Sequence, residues 1–116
     1  MKTMEIEVLN GMCADGRVTE VKISAISNYT GEYIEVRGYA RCASGDKFDY
    51  NVGHGLAYTR AIRKAYQYFL KAHKWILANT NLKERNKVEF KRTVNELLEI
   101  QKELIATNLL LNTLVE

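Results

Sequence analysis

Basic and aromatic side chains alternate in the middle of the chain, and this combination can bind a nucleotide or a nucleic acid. Residues 51–92 contain ten Lys and Arg residues and only two carboxylates, whereas residues 1–50 and 93–116 are each net negative. Guanidinium groups bind phosphates through paired hydrogen bonds, and aromatic rings stack on nucleobases. A solvated basic face beside an aromatic core fits the composition at least as well, so both interpretations stay open.

The histidines and cysteines predict neither a catalytic nor a metal site. His54 and His73 are separated by most of the predicted first helix, which is about 28 Å at 1.5 Å per residue. Cys13 and Cys42 lack the spacing of a zinc cluster or a disulfide scaffold, and we expect two buried thiols. The Gly-His-Gly run at 53–55 could cradle a phosphate, but a tight strand-to-helix connection is the plainer interpretation. We therefore expect binding without catalysis and without a cofactor.

The elements that position these residues begin with strands over residues 1–50. Apolar and polar side chains alternate at 4–8, at 20–25 and most clearly at 32–42, as in half-buried strands. Asn10-Gly11 predicts a bulge or a bend, and Asp15-Gly16 predicts a hairpin turn. A candidate fourth strand lies at 47–50.

Two long helices are predicted next, over residues 53–78 and 82–115. The first has an apolar face and a basic face at helical spacing. The second is predicted to start at a capping box formed by Asn81 and Glu84. These elements predict a single α+β domain over 1–116, in which an antiparallel sheet of three to four strands is followed by helices packed on it.

The second helix also carries a signal for assembly. Its core positions from Phe90 to Val115 follow a 4-3-4-3 spacing, with Gln101 and Asn108 as polar members. This pattern predicts a helix buried against its own domain on one side and against another copy of the chain on the other. The alternative is that Gln101 and Asn108 lie at the edge of an intramolecular packing face.

Composition also bears on the cellular compartment of the protein. No run approaches the roughly 20 apolar residues that span a bilayer, and residues 1–5 lack the features of a signal peptide. We expect a cytoplasmic protein that does not bind membranes.

Three stretches carry a resemblance to a known family. They are Gly38-Tyr39-Ala40-Arg41-Cys42, Asp46-Lys47-Phe48-Asp49 and the run LAYTRAIRKA at 56–65. This hairpin running into an amphipathic helix resembles small phage-encoded proteins. With the long second helix added, nearly the whole chain resembles the first family of Thoeris anti-defence proteins.

The resemblance implies a specific function in the infected bacterial cell. Proteins of that family sequester cyclic ADP-ribose isomers made by TIR-domain enzymes, do not cleave them, and form their pockets where subunits meet. Such a ligand has a base to stack, a pyrophosphate to neutralise and ribose hydroxyls to hydrogen-bond. Chemistry and position in the chain select the following site residues: Trp75 or Phe90 for the base, Arg60, Arg85 and Arg92 for the pyrophosphate, and Asn86 or Asn95 for the riboses.

Two other functions remain as alternatives. The basic face of the first helix could serve a nucleic-acid-binding module, although the acidic strand half makes nucleic acid the less favoured partner. The 4-3-4-3 stripe could instead serve a protein-binding inhibitor or a structural oligomer.

Overall fold

The computed structural model of the protein describes residues 3–14, 17–42 and 49–115. Its elements are β1 (Met4–Ala14), β2 (Val18–Ser27), β3 (Tyr33–Arg41), α1 (Tyr50–Asn79), α2 (Leu82–Arg85) and α3 (Lys87–Val115). The strands form one antiparallel sheet in the order β1-β2-β3. Helix α1 packs on β2 and β3, and α3 packs along α1. The predicted α+β class, with long helices packed on an antiparallel sheet, is confirmed.

The alternating pattern of the strands sorts their side chains between the two faces of the sheet. Val21, Ile23 and Ala25 of β2 are fully buried beneath α1. The register of β1 against β2 shifts between Val8 and Asn10, which confirms the predicted bulge. The predicted hairpin turn at 15–16 lies outside the described residues.

Helix α1 approaches the sheet very closely because the contact is made by small residues. Ala57, Ala61 and Ala65 are fully buried on its sheet-facing side. A Cβ atom on Gly38 of β3 would lie 1.9 Å from the Ala57 carbonyl oxygen and 2.6 Å from the Ala61 nitrogen. Only glycine at position 38 therefore permits this separation between helix and strand.

The start of α1 differs from the prediction. The helix begins at Tyr50 rather than at residue 53, and Asp49 caps it by accepting hydrogen bonds from Asn51 N (2.9 Å) and Val52 N (3.3 Å). The candidate fourth strand is therefore wrong at residues 49–50, and residues 47–48 lie outside the described part of the chain. The aspartate cap decides the outcome, because it satisfies amide groups that a strand would leave unpaired.

The prediction of one continuous helix over 82–115 is also wrong. Helix α2 has only four residues, and Asn86 then adopts an extended backbone with φ −156° and ψ 96°. The Asn86 Oδ1 atom accepts a hydrogen bond from Glu89 N at 3.1 Å, so Asn86 caps α3. The capping box at Asn81 is not formed, because Asn81 is left-handed (φ 53°) and its side chain makes no capping hydrogen bond.

The 4-3-4-3 positions of α3 fall into two groups. Leu111 is buried, and Leu97 and Leu104 pack against the core that contains Ile100, which lies beside the series. Gln101 and Asn108 are exposed in the single chain. Among the described residues, no helix is long and apolar enough to cross a bilayer.

Candidate functional site

The turn between β2 and β3 presents Tyr29 towards the helices. The Ser27 hydroxyl accepts hydrogen bonds from Tyr29 N (3.2 Å) and Thr30 N (3.1 Å). Gly31 N donates to the Ser27 carbonyl at 2.9 Å, and its φ of +75° favours glycine at this position. These contacts fix the turn, so that Tyr29 is a defined element of the surface.

The first three turns of α3 lie opposite Tyr29. A groove of about 420 Å³ runs between them. Its lining comprises Tyr29, Val88, Lys91, Arg92, Asn95, Glu96 and Glu99. The α3 members recur at helical spacing, and the groove therefore follows one side of that helix. The groove is largely open to solvent, and its volume falls within the range of about 300–1,000 Å³ found for small-molecule sites.

Charge is distributed unevenly along the groove. Lys91 and Arg92 supply cations near the start of α3, whereas Glu96 and Glu99 supply carboxylates one to two turns later. The Arg92 guanidinium contacts Glu89 and lies 3.8 Å from Glu96, and its side chain is still 64% exposed. Such a groove suits a ligand with an anionic group at one end and hydroxyl or amino groups at the other.

A buried histidine supports the wall of the groove from behind. His73 is 2% exposed, and its ring packs edge-on against Tyr29 with centroids 5.8 Å apart. Its Nδ1 atom lies 3.2 Å from the Phe69 carbonyl oxygen, and its Nε2 atom lies 3.2 Å from Glu96 Oε1. Each ring nitrogen therefore lies within hydrogen-bonding distance of an oxygen atom. His73 thereby joins α1, α3 and the β2–β3 turn.

Two phenols close to carboxylates of α3 are held in their neutral form. Burial, together with the nearby carboxylates of Glu99, Glu103 and Glu96, raises the pKa of Tyr29. Burial and Glu103 raise the pKa of Tyr66 in the same way. The Tyr29 hydroxyl therefore remains a hydrogen-bond donor at neutral pH.

The structure brings together two of the seven predicted site residues. Arg92 and Asn95 line the groove. Asn86 caps α3, and Phe90 lies half-buried in the first turn of that helix.

The other three predicted site residues lie outside the groove. Arg85 is exposed on α2. Arg60 and Trp75 lie on α1, where Arg60 Nη1 donates to the Tyr39 carbonyl at 2.8 Å and Trp75 is 62% exposed. Within one chain these three residues do not share a site with Arg92.

Sequence reasoning missed Tyr29 and His73 as parts of this site. An aromatic residue inside the 28–31 turn is the one signal that could have drawn attention to Tyr29. Nothing in the local sequence of His73 indicates a partner 23 positions away on α3. The helical spacing of α3 does not indicate which of its sides faces the β2–β3 turn. The sequence therefore did not single out Lys91, Glu96 and Glu99.

Within residues 3–14, 17–42 and 49–115, no group of three or more His, Cys, Asp or Glu side chains is arranged to hold a metal ion. Comparisons with models of protein families, with curated proteins and with solved structures found no match for the chain.

Proposed function

We propose that the protein binds a cyclic ADP-ribose isomer and sequesters it without cleaving it, which would block activation of a Thoeris effector during phage infection. The observation that carries the proposal is the groove, where Arg92 and Asn95, both selected from the sequence for such a ligand, lie opposite Tyr29. The resemblance of nearly the whole chain to the first Thoeris anti-defence family supplies the ligand's identity.

Each part of the ligand has a chemical counterpart in the groove. Lys91 and Arg92 suit the pyrophosphate, because Arg binds phosphate oxygens bidentately and Lys adds a second charge. Asn95 and Glu99 suit the ribose hydroxyls, because an amide or carboxylate oxygen accepts their protons. The Tyr29 ring offers an aromatic surface for the base.

We further propose that a second copy of the chain covers the outer side of α3. Residues 104–115 contain no charged side chain. Five large apolar residues are exposed between the middle and the end of the helix: Leu98 (53%), Ile105 (53%), Leu109 (63%), Leu110 (51%) and Leu114 (39%).

At 100° per residue, Leu98, Ile105 and Leu109 share one side of the helix, and Leu110 and Leu114 lie more than 100° around it. Together the five side chains expose on the order of 400 Å², about half of the ~800 Å² that each partner buries in a standard interface. Identical neutral faces also meet without like-charge repulsion. Phe90, Asn86 and Arg85 would then complete the ligand site from a neighbouring subunit.

A filtration experiment tests sequestration. The purified protein is mixed with the cyclic ADP-ribose isomer, the protein is removed by filtration, and the filtrate is assayed for the signal. We expect depletion of the signal, followed by recovery of the intact compound after heat denaturation. Recovery only as breakdown products would indicate an enzyme, and full passage of the signal through the filter would refute the proposal.

Matched variants locate the site. Arg92→Gln should weaken retention at least tenfold, whereas Arg41→Gln, which removes the same charge from the end of β3, should not. Asn95→Ala should weaken retention, and Asn51→Ala, at an exposed position near the start of α1, should not. Equal effects of Arg92→Gln and Arg41→Gln would show that general positive charge, rather than the groove, holds the ligand.

Native mass spectrometry tests the assembly. The wild-type chain should appear as a dimer or higher oligomer, and a double variant Ile105→Glu, Leu109→Glu should appear as a monomer. A monomeric wild-type chain at micromolar concentration would rule out the second copy on α3.

A further inference from the structure

The side of α1 that faces away from His73 forms a second surface of distinct chemistry. We name it the α1–β3 flank and define it by Arg60, Lys64, Tyr68, Lys71 and Trp75 of α1 together with Tyr39 of β3. The α1 members are spaced 4, 4, 3 and 4 residues apart, which places them in one row along the helix. At 100° per residue, this row lies opposite His73 and therefore on the other side of α1 from the groove.

Contacts with β3 hold the first part of the row in place. Arg60 donates to the Tyr39 carbonyl at 2.8 Å, and Lys64 donates to the Arg37 carbonyl at 2.7 Å. The Lys64 ammonium also lies 5.5 Å from the centre of the Tyr39 ring. These bonds occupy carbonyl groups on the outer edge of the sheet. They also hold the Arg60 and Lys64 cations beside the Tyr39 ring.

The rest of the row extends the same chemistry beyond the sheet. Tyr68 donates its hydroxyl proton to Glu32, which leaves its ring 44% exposed. Tyr39 is 46% exposed and Trp75 is 62% exposed. In the described part of the chain, Arg60, Lys64 and Lys71 form no ion pair with a carboxylate. The α1–β3 flank therefore combines three cations, of which Arg60 is half-buried, with three exposed aromatic residues, and one carboxylate, Glu32, lies against Tyr68.

We propose that the α1–β3 flank binds single-stranded nucleic acid. Aromatic rings that can accept stacked bases, next to cations that can contact phosphates, are the features with which proteins bind single strands regardless of sequence. From Arg60 to Trp75 the row is about 22 Å long, enough for three to four extended nucleotides.

Two other occupants fit the flank less well. A duplex offers no exposed base faces to the rings. A second copy of the chain would bring identical cationic rows together, which like-charge repulsion opposes. This surface is separate from the groove and does not depend on the function proposed for it.

The test uses the intrinsic fluorescence of Trp75, which is the single tryptophan of the chain. Titration with dA and dT oligonucleotides of about 12 nucleotides should quench this emission in a saturable way. If the three cations each contact one phosphate, the logarithm of the association constant should fall with the logarithm of the salt concentration with a slope of about −2. This slope corresponds to binding that is about 20-fold weaker at 200 mM than at 50 mM salt. Absence of saturable quenching at low salt, or tighter binding of a duplex of the same length, would overturn the proposal.

Variants then separate this surface from the groove. Lys71→Gln should weaken binding and reduce the salt slope by about 0.7, the share of one phosphate contact. Trp75→Ala, followed by the anisotropy of a labelled oligonucleotide, should weaken binding about tenfold. Arg92→Gln should leave oligonucleotide binding unchanged while reducing retention of the cyclic nucleotide. Equal loss of oligonucleotide binding in Arg92→Gln would place the nucleic acid elsewhere and refute the assignment to the flank.

Discussion

The contact between α1 and β3 makes a sharp prediction about Gly38. In Gly38→Ala, the new Cβ atom would lie 1.9 Å from the Ala57 carbonyl oxygen and 2.6 Å from the Ala61 nitrogen. Both obstacles are helix backbone, which cannot rotate away as a side chain can. Relief therefore requires α1 to move outward by more than 1 Å over the fully buried row Ala57, Ala61 and Ala65.

The magnitude follows from the loss of this packing. A substitution that overpacks a core usually lowers the free energy of unfolding by about 1–3 kcal/mol. Because the new atom in Gly38→Ala meets helix backbone, we expect a loss at or above the upper end of that range. A loss of about 3 kcal/mol is a large share of the roughly 5–15 kcal/mol that stabilises a typical domain. It should lower the melting temperature by about 12 °C, at about 4 °C per kcal/mol for a chain of this size.

The chain supplies a matched control in Gly55. This residue lies inside α1, and a Cβ atom added there meets nothing within 4 Å. Gly55→Ala should therefore raise the free energy of unfolding by about 1 kcal/mol through helix propensity and reduced freedom of the unfolded chain. Urea denaturation followed by circular dichroism measures both variants. If Gly38→Ala were as stable as the wild type, or if both variants lost the same stability, the inferred close approach of α1 to β3 would be incorrect.

Three further predictions concern the polar network and the cap of α3. His73→Leu should lower the free energy of unfolding by roughly 2–3 kcal/mol, because the partly buried Glu96 carboxylate loses its contact with the ring. In a double-mutant cycle with Glu96→Ala, an interaction energy of zero would exclude this contact. Asn86→Ala should cost about 1 kcal/mol of unfolding free energy through loss of the α3 cap, measured by urea denaturation against the wild type and the exposed Asn51→Ala, and equal stabilities would contradict the cap. Burial and Glu103 raise the folded-state pKa of Tyr66 above the ordinary value of 10.0. The contribution of the neutral phenol to the free energy of unfolding is therefore complete below pH 10, and it is lost as the pH rises from 10 through the folded-state pKa. The alkaline decline in stability should be shallower in Tyr66→Phe, and identical profiles would show that Tyr66 does not cause it.

Much of the architecture follows from local pattern. The period-2 alternation at 32–42 is sufficient to predict β3, and the long apolar and basic rows predict α1, because both periods are properties of a chain segment by itself. The helix boundaries were less predictable. Asp49 and Asn86 are ordinary polar residues in the sequence, and only their capping hydrogen bonds decide that α1 begins at Tyr50 and that α3 begins at Lys87.

The candidate site depended far more on tertiary structure. Residue chemistry alone selects Arg92 and Asn95, because cations and amides suit a nucleotide wherever they lie. Nothing local distinguishes them from Arg60 or Trp75, which face away on α1, since only chain packing determines which side of a helix meets the β2–β3 turn. Tyr29 and His73 enter the site for the same reason, as their neighbours on α3 are 23 or more positions away. The sequence by itself determined the chemistry available to this protein, and the tertiary structure decided which of those groups can act on one ligand.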